Sequence, residues 1–213
     1  MIRHDMPQGS RAWLQARLGI PTASNFDQII TPTGKASGSW EKYGNRLLAE
    51  RLLGTPVDDA SSGFMERGSL MEQDAIDFYE MQRECDTEAV GFLLRDDRRV
   101  GCSPDRLVGA DGLLEIKCPS APQHVGYLLD AKGIGYKVQV QGQLWIAERE
   151  WSDTLSYHPS LPPALVRVGR DEAFIAKLAS EINRFLTYLE ESMEKLQRRG
   201  VLAEAGTLPI EEE

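Results

Sequence analysis

Cysteine is scarce in this chain of 213 residues: Cys85, Cys102 and Cys118 are the only three, and no two of them form a CxxC pair. That excludes a disulfide framework, a zinc ribbon and a cysteine-ligated iron–sulfur cluster as organising features, and fits a reducing environment. Histidine is equally rare. His4, His124 and His158 show neither HxH nor HExxH spacing and read as surface or loop residues. No apolar run reaches the ~18 residues of a membrane helix, and residues 1–10 lack the apolar core of a secretion signal, so a cytoplasmic protein is expected. Basic residues are outnumbered, 24 Lys+Arg against 33 Asp+Glu for a net charge of −9, which excludes a polyanion binder coated in lysine. Repeats and low-complexity tracts are missing too.

What is present is the composition of a packed domain, 41% apolar and 27% charged. The charge is uneven: residues 1–51 carry +3, leaving −12 for the rest, so an anionic ligand is expected on the N-terminal side. Periodicity and breakers predict helices over 10–18, from 22–24 to 30, over 40–53 and over 63–83, with Phe64, Met65, Met71, Ala75, Ile76, Phe78 and Tyr79 along the apolar side of the last. Glu72 lies beside that stripe and not opposite it. Short strands follow over 88–94, 100–102, 107–108 and 113–117, with Asp-rich turns between them. After a loop and a short helix within 119–132, residues 137–146 are ambiguous, because Val138-Gln139-Val140-Gln141 alternates like a strand in a segment of helical length. Strands at 155–157 and 164–168 precede a helix with Phe174, Leu178, Ile182, Phe185, Leu189, Met193 and Leu196 on one face. The order predicts a mixed α/β fold with one central sheet, in a single domain: a helical part over about 10–85, a sheet over about 86–170 and a C-terminal helix over about 171–199.

The chemistry centres on Ser103-Pro104-Asp105 and Glu115-Ile116-Lys117. On a strand Glu115 and Lys117 project to one side and Ile116 to the other, and a hairpin can bring Asp105 beside Glu115. Two converging carboxylates repel unless a divalent cation lies between them, and hard oxygens favour Mg²⁺ or Mn²⁺ over zinc. The Ile116 carbonyl can add an oxygen. Lys117 can hold or deprotonate a water, or neutralise a phosphate. Those parts suit metal-assisted hydrolysis of a phosphodiester. Alone the pattern also fits an exposed, salt-bridged hairpin, but Leu113, Leu114 and Ile116 mark a buried strand, where a Glu and a Lys need a reason.

Six ordered blocks resemble the lambda exonuclease (YqaJ-type viral recombinase) family of the PD-(D/E)xK nuclease superfamily. They are Trp13-Leu-Gln-Ala-Arg17-Leu-Gly-Ile-Pro-Thr-Ala-Ser24, Leu47-Leu-Ala-Glu50, Gly68-Ser-Leu-Met-Glu72-Gln-Asp-Ala75, Cys102-Ser-Pro-Asp105, Leu114-Glu-Ile-Lys-Cys-Pro119 and Tyr136-Lys-Val-Gln-Val-Gln141. The resemblance implies a restriction-endonuclease-like core, a mixed sheet flanked by helices. It makes Asp105, Glu115 and the Ile116 carbonyl the metal ligands, Lys117 the lysine of the triad, and Glu72 the helix-borne acid serving a second metal or its water. Gln139 would orient the nucleophilic water or Lys117 from a helix, against the alternation. Arg17 and Ser24 would bind a terminal 5′-phosphate.

By the same resemblance the protein is a phage- or prophage-encoded exonuclease acting in the bacterial cytoplasm. It would use two Mg²⁺ ions, with Mn²⁺ able to replace them, to digest duplex DNA from 5′ ends and leave 3′ single strands for recombination. Its partners would be double-stranded DNA ends, two further copies in a ring-shaped trimer and a single-strand annealing protein. The alternatives are a single-strand or structure-specific nuclease of the RecB/Cas4-like type and a non-catalytic DNA-end-binding module. The loop over 31–39 holds only Lys35 as a basic residue, and residues 211–213 read as a solvated tail.

Overall fold

The Glu115-Ile116-Lys117 segment is the middle strand of a five-stranded sheet in a computed structural model that describes residues 1–57, 62–131, 134 and 136–201, with backbone alone for 62–70. In chain order, β1 (Ile2–His4) and α1 (Arg11–Ala16) come first, then a 3-10 helix (Ala23–Gln28), α2 (Trp40–Leu53) and α3 (Ser62–Arg83). Five short strands follow: β2 (Thr87–Ala89), β3 (Phe92–Leu94), β4 (Gly101–Cys102), β5 (Arg106–Val108) and β6 (Gly112–Lys117). Then come α4 (Ala121–Leu129), α5 (Lys137–Ala147), β7 (Trp151–His158), β8 (Leu161–Gly169) and α6 (Glu172–Arg198). The large sheet runs β2-β5-β6-β7-β8, and the small one β1-β3-β4. All pairs are antiparallel except β6 with β7. A parallel pair needs a crossover, which α4 and α5 supply.

Alternation along β6 decides what each face carries. Leu114 and Ile116 pack toward α3 with Ala75, Ile76, Tyr79, Val108 and Leu155. Leu113 enters the larger core, with Val138, Val140 and Leu144 of α5 and Leu178, Ile182 and Phe185 of α6. Glu115 and Lys117 share the face of Leu113 and so look toward α5. The apolar face expected of α6 is confirmed at Phe174, Leu178, Ile182, Phe185 and Leu189. Its first turn is capped by Asp171, whose carboxylate accepts from the Phe174 N–H at 2.9 Å. The α3 helix is fixed to the sheet by Tyr79, whose hydroxyl donates at 2.9 Å to Asp153. Asp153 is fully buried and also receives the Arg167 fork at 2.8 and 2.9 Å.

Two expectations are corrected and one ambiguity is resolved. The strand expected over 88–94 is two strands in different sheets, broken at Val90-Gly91, where the backbone of Met6 and His4 approaches so closely that a Cβ on Gly91 would lie 2.2 Å from the Met6 carbonyl. The helix expected from 22–24 to 30 is a 3-10 helix of six residues, without a side-chain cap. Residues 137–146 are helical, because α5 is buried nearly all round, and valines that alternate in sequence are buried in a helix as readily as in a strand. The N-terminal strand β1 was not expected at all. The expected stripe members Phe64 and Met65, and residues 211–213, lie outside the described side chains. No helix among the described residues is long and apolar enough to cross a membrane.

Candidate active site

The β5–β6 hairpin sets the two carboxylates opposite each other. Leu107 pairs with Leu113 and Arg106 with Leu114, so the next step places Asp105 across from Glu115. Asp105 is turned back onto the strand, where its Oδ2 accepts from the Ile116 N–H at 2.5 Å. Glu115 is only 4% exposed, and both its oxygens are engaged. Oε1 accepts from Lys117 Nζ and from Gln139 Nε2, each at 2.6 Å, and Oε2 accepts from Gln143 Nε2 at 2.6 Å. Lys117 lies 3.4 Å from the Gln139 carbonyl oxygen and 4.8 Å above the ring of Tyr136. Asp105, Glu115, Lys117 and Gln139 are thus brought together, as the sequence led us to expect.

Electrostatics mark this as an unbalanced site. Burial pushes the Asp105 carboxyl well above the ordinary carboxylate range, and the Glu115 charge pushes it further. Burial opposes the charge on Lys117, but Glu115 and Asp105 outweigh it and hold the ammonium above its usual pKa. Burial likewise raises Glu72, with Glu115 adding to the shift and Arg106 opposing it. Glu72 and Asp105 line one cleft of about 940 Å³, together with Arg106, Gln8 and Trp13. Cys118 packs on the α3 side, and burial raises its thiol to about 11.

A divalent cation fits the donors present. Asp105 and Glu115 offer hard oxygens, and a cation between them would offset the burial and the Glu115 charge that raise the Asp105 carboxyl. Among the described residues no three histidine, cysteine or acidic side chains stand close enough to hold an ion by themselves. The pair therefore needs further oxygens from the main chain, for which the resemblance implies the Ile116 carbonyl, and from solvent or phosphate. Such a shell suits Mg²⁺ or Mn²⁺, which keep water and phosphate ligands.

Arg17 lies among Trp13, Thr22 and Ser24. Its guanidinium stacks 3.9 Å over the Trp13 ring, and Nη2 is 3.4 Å from both the Thr22 and Ser24 hydroxyls. Among the described residues no carboxylate comes within ion-pair distance of it. Trp13, 7% exposed, is a packing residue and not a surface for stacking on DNA; its indole N–H donates to Ser103 Oγ at 2.9 Å and to the Gly91 carbonyl at 3.2 Å. The Gly101 N–H donates to the Pro21 carbonyl at 3.2 Å. Both links join the Arg17 cluster to the chain that leads into Asp105. On the other side the 3-10 helix lies against α5 so tightly that a Cβ on Gly142 would meet the Phe26 ring at 2.6 Å.

Sequence reasoning missed Gln143. The signal was its i, i+4 spacing from Gln139, which places two amides on one helix face, but the strand-like reading of 137–146 hid it. The surface or loop reading of the histidines is corrected at His124, which lies in α4. His124 is buried, with its ring nitrogens 2.7 Å from Ser156 Oγ and 2.9 Å from the Pro162 carbonyl, and serves packing.

Residues 12–150 match the model of the YqaJ-like viral recombinase domain. The chain is similar to the crystal structure of an alkaline exonuclease from Laribacter hongkongensis, with a TM-score of 0.81 at 34% identity over 90% of this chain and 98% of that one. The same exonuclease in complex with dAMP gives a TM-score of 0.81 at 33% identity, over 90% of this chain and 98% of that one. A phage-related exonuclease from Haemophilus somnus 129PT shares the fold, with a TM-score of 0.66 at 16% identity over 83% and 96% of the two chains. No curated protein matches the chain. With the family model spanning most of its length and a relative at this identity along nearly all of it, the chain belongs to the YqaJ-like viral recombinase family.

Proposed function

We propose that the protein is a divalent-metal-dependent exonuclease that degrades one strand of linear duplex DNA from a 5′-phosphorylated end, leaving a 3′ single strand for recombination by annealing. The family and the similarity to an alkaline exonuclease support nuclease chemistry. The observation that carries the reading further is a carboxylate pair, Glu115 buried and Asp105 partly so, joined through Trp13 and the chain at Gly101 to an arginine that has no carboxylate partner among the described residues. One centre suits hydrolysis and the other suits an anion, and hydrogen bonds from Trp13 and Gly101 link the segments that carry them.

A bound Mg²⁺ supplies polarisation of the phosphoryl oxygen and a more acidic water. Asp105 and Glu115 would hold it. Lys117, kept as an ammonium by Glu115, places positive charge where the phosphate gains negative charge in the transition state. Gln139 donates to Glu115 through Nε2 and leaves its Oε1 near Lys117, so that one amide fixes two groups. Glu72, across the cleft from the hairpin, is placed to accept a proton or to hold a water. Arg17 and Ser24 recognise the terminal phosphate, which carries more charge than an internal one.

End recognition is tested with Arg17→Ala on two substrates, linear duplex with a 5′-phosphate and with a 5′-hydroxyl. A charge-assisted contact is worth roughly 1.5–3 kcal/mol, so the variant should lose about tenfold to a hundredfold in rate on the phosphorylated end and much less on the hydroxyl end. Equal losses on both substrates would remove Arg17 from end recognition.

A further inference from the structure

We infer that Gln143 is a positioning residue that fixes the Glu115 carboxylate and thereby sets the cation affinity of the Asp105–Glu115 pair. The inference rests on the reading of those carboxylates as a metal site. Gln143 is 1% exposed and donates to Glu115 Oε2 in a fully buried hydrogen bond, whereas the bonds to Oε1 from Lys117 and Gln139 are only partly buried. The carboxylate is therefore oriented, with Oε2 in the buried bond and Oε1 in the partly buried ones. An ionised carboxylate can only accept, so the Gln143 amide must present its nitrogen to Glu115. In doing so it leaves its own Oε1 buried without a donor among the described residues.

An unpaired buried acceptor is destabilising, and the neighbours Val140, Leu144 and Ile146 show that apolar side chains suit this part of α5. The amide is thus placed for the sake of Glu115 and not for the core. Its neutrality matters as well. Lys117 offsets the charge of Glu115, but Gln143 orients the carboxylate and leaves that charge available to a cation, as outer-shell partners of metal-ligating carboxylates do.

The test is calorimetric titration of Mn²⁺ into the full-length, metal-free protein, comparing wild type, Gln143→Met and Gln141→Met. Gln141 is a matched control: it too is 1% exposed, but its amide donates to the Gly169 carbonyl and accepts from the Asp171 N–H, both at 2.8 Å. Gln143→Met should weaken Mn²⁺ binding about tenfold to a hundredfold, while Gln141→Met binds as wild type does. Should Gln143→Met not fold, Gln143→Asn, with the amide on a shorter stem, is expected to weaken binding in the same direction. Wild-type affinity in the folded Gln143 variant, or an equal loss in Gln141→Met, overturns the inference. Absence of Mn²⁺ binding to the wild type overturns instead the metal-site reading on which it rests.

Discussion

Asp105→Asn is expected to abolish hydrolysis, with a loss of at least about a thousandfold, and at the same time to raise the melting temperature of the metal-free protein at neutral pH. Both effects come from the same carboxylate. Burial and the facing Glu115 hold the Asp105 carboxyl well above its ordinary range, so the folded state binds its proton more tightly than the unfolded state does. For an acid shifted this way, stability is full below the ordinary carboxylate pKa and is lost as the pH rises through the raised folded value. Asparagine cannot ionise, so the variant escapes that loss, and its amide oxygen can still accept from the Ile116 N–H. Thermal melts followed by circular dichroism should show the variant above wild type at pH 7, with the gap closing toward pH 4. Adding Mn²⁺ should raise the wild-type melting temperature and not that of the variant. A variant less stable than wild type at pH 7 would contradict this description of the pair.

Lys117→Met is expected to lower the hydrolytic rate about a hundredfold to ten-thousandfold while DNA-end binding persists, because the long apolar stem is kept and the ammonium is lost. Its effect on stability should run opposite to that of Asp105→Asn. Glu115 keeps the Gln139 and Gln143 amides but loses the cation at 2.6 Å, so a buried carboxylate is left without charge compensation. The metal-free variant should melt below wild type, and a divalent cation should restore more of its stability than it adds to wild type. Single-turnover rates and cation-dependent melts measure the two effects separately. An unchanged rate would remove Lys117 from the chemistry.

The site was legible where local geometry decides it. In Glu115-Ile116-Lys117 the period of a strand alone puts Glu and Lys on one face, and the surrounding leucines show that the strand is buried. Asp105 followed from the hairpin, whose register the structure confirms. Gln139 needed the family resemblance, because in a helix buried nearly all round the apolar pattern no longer distinguishes a helix from a strand. Gln143 was lost with it. Elsewhere the sequence is silent where tertiary contact overrides local preference. The polar Ile2–His4 segment becomes a strand only because β3 offers it an edge. Residues 88–94 divide between two sheets because the N-terminal backbone presses on Gly91. The helix start near Ser24 was legible from Thr22 to Ser24, but its 3-10 geometry depends on Phe26 and Ala23 packing against Gly142.

The central claim joins a metal-dependent carboxylate site to recognition of a 5′-phosphate, and one assay addresses both halves. Linear duplex labelled at its ends, with and without a 5′-phosphate, is incubated with the wild-type protein in Mg²⁺ or in a chelator. The account predicts stepwise loss of the strand bearing the 5′-phosphate, slower attack on the 5′-hydroxyl duplex, an intact complementary 3′ strand and no reaction in chelator. Degradation that proceeds from 3′ ends, ignores the terminal phosphate or continues in chelator would contradict it.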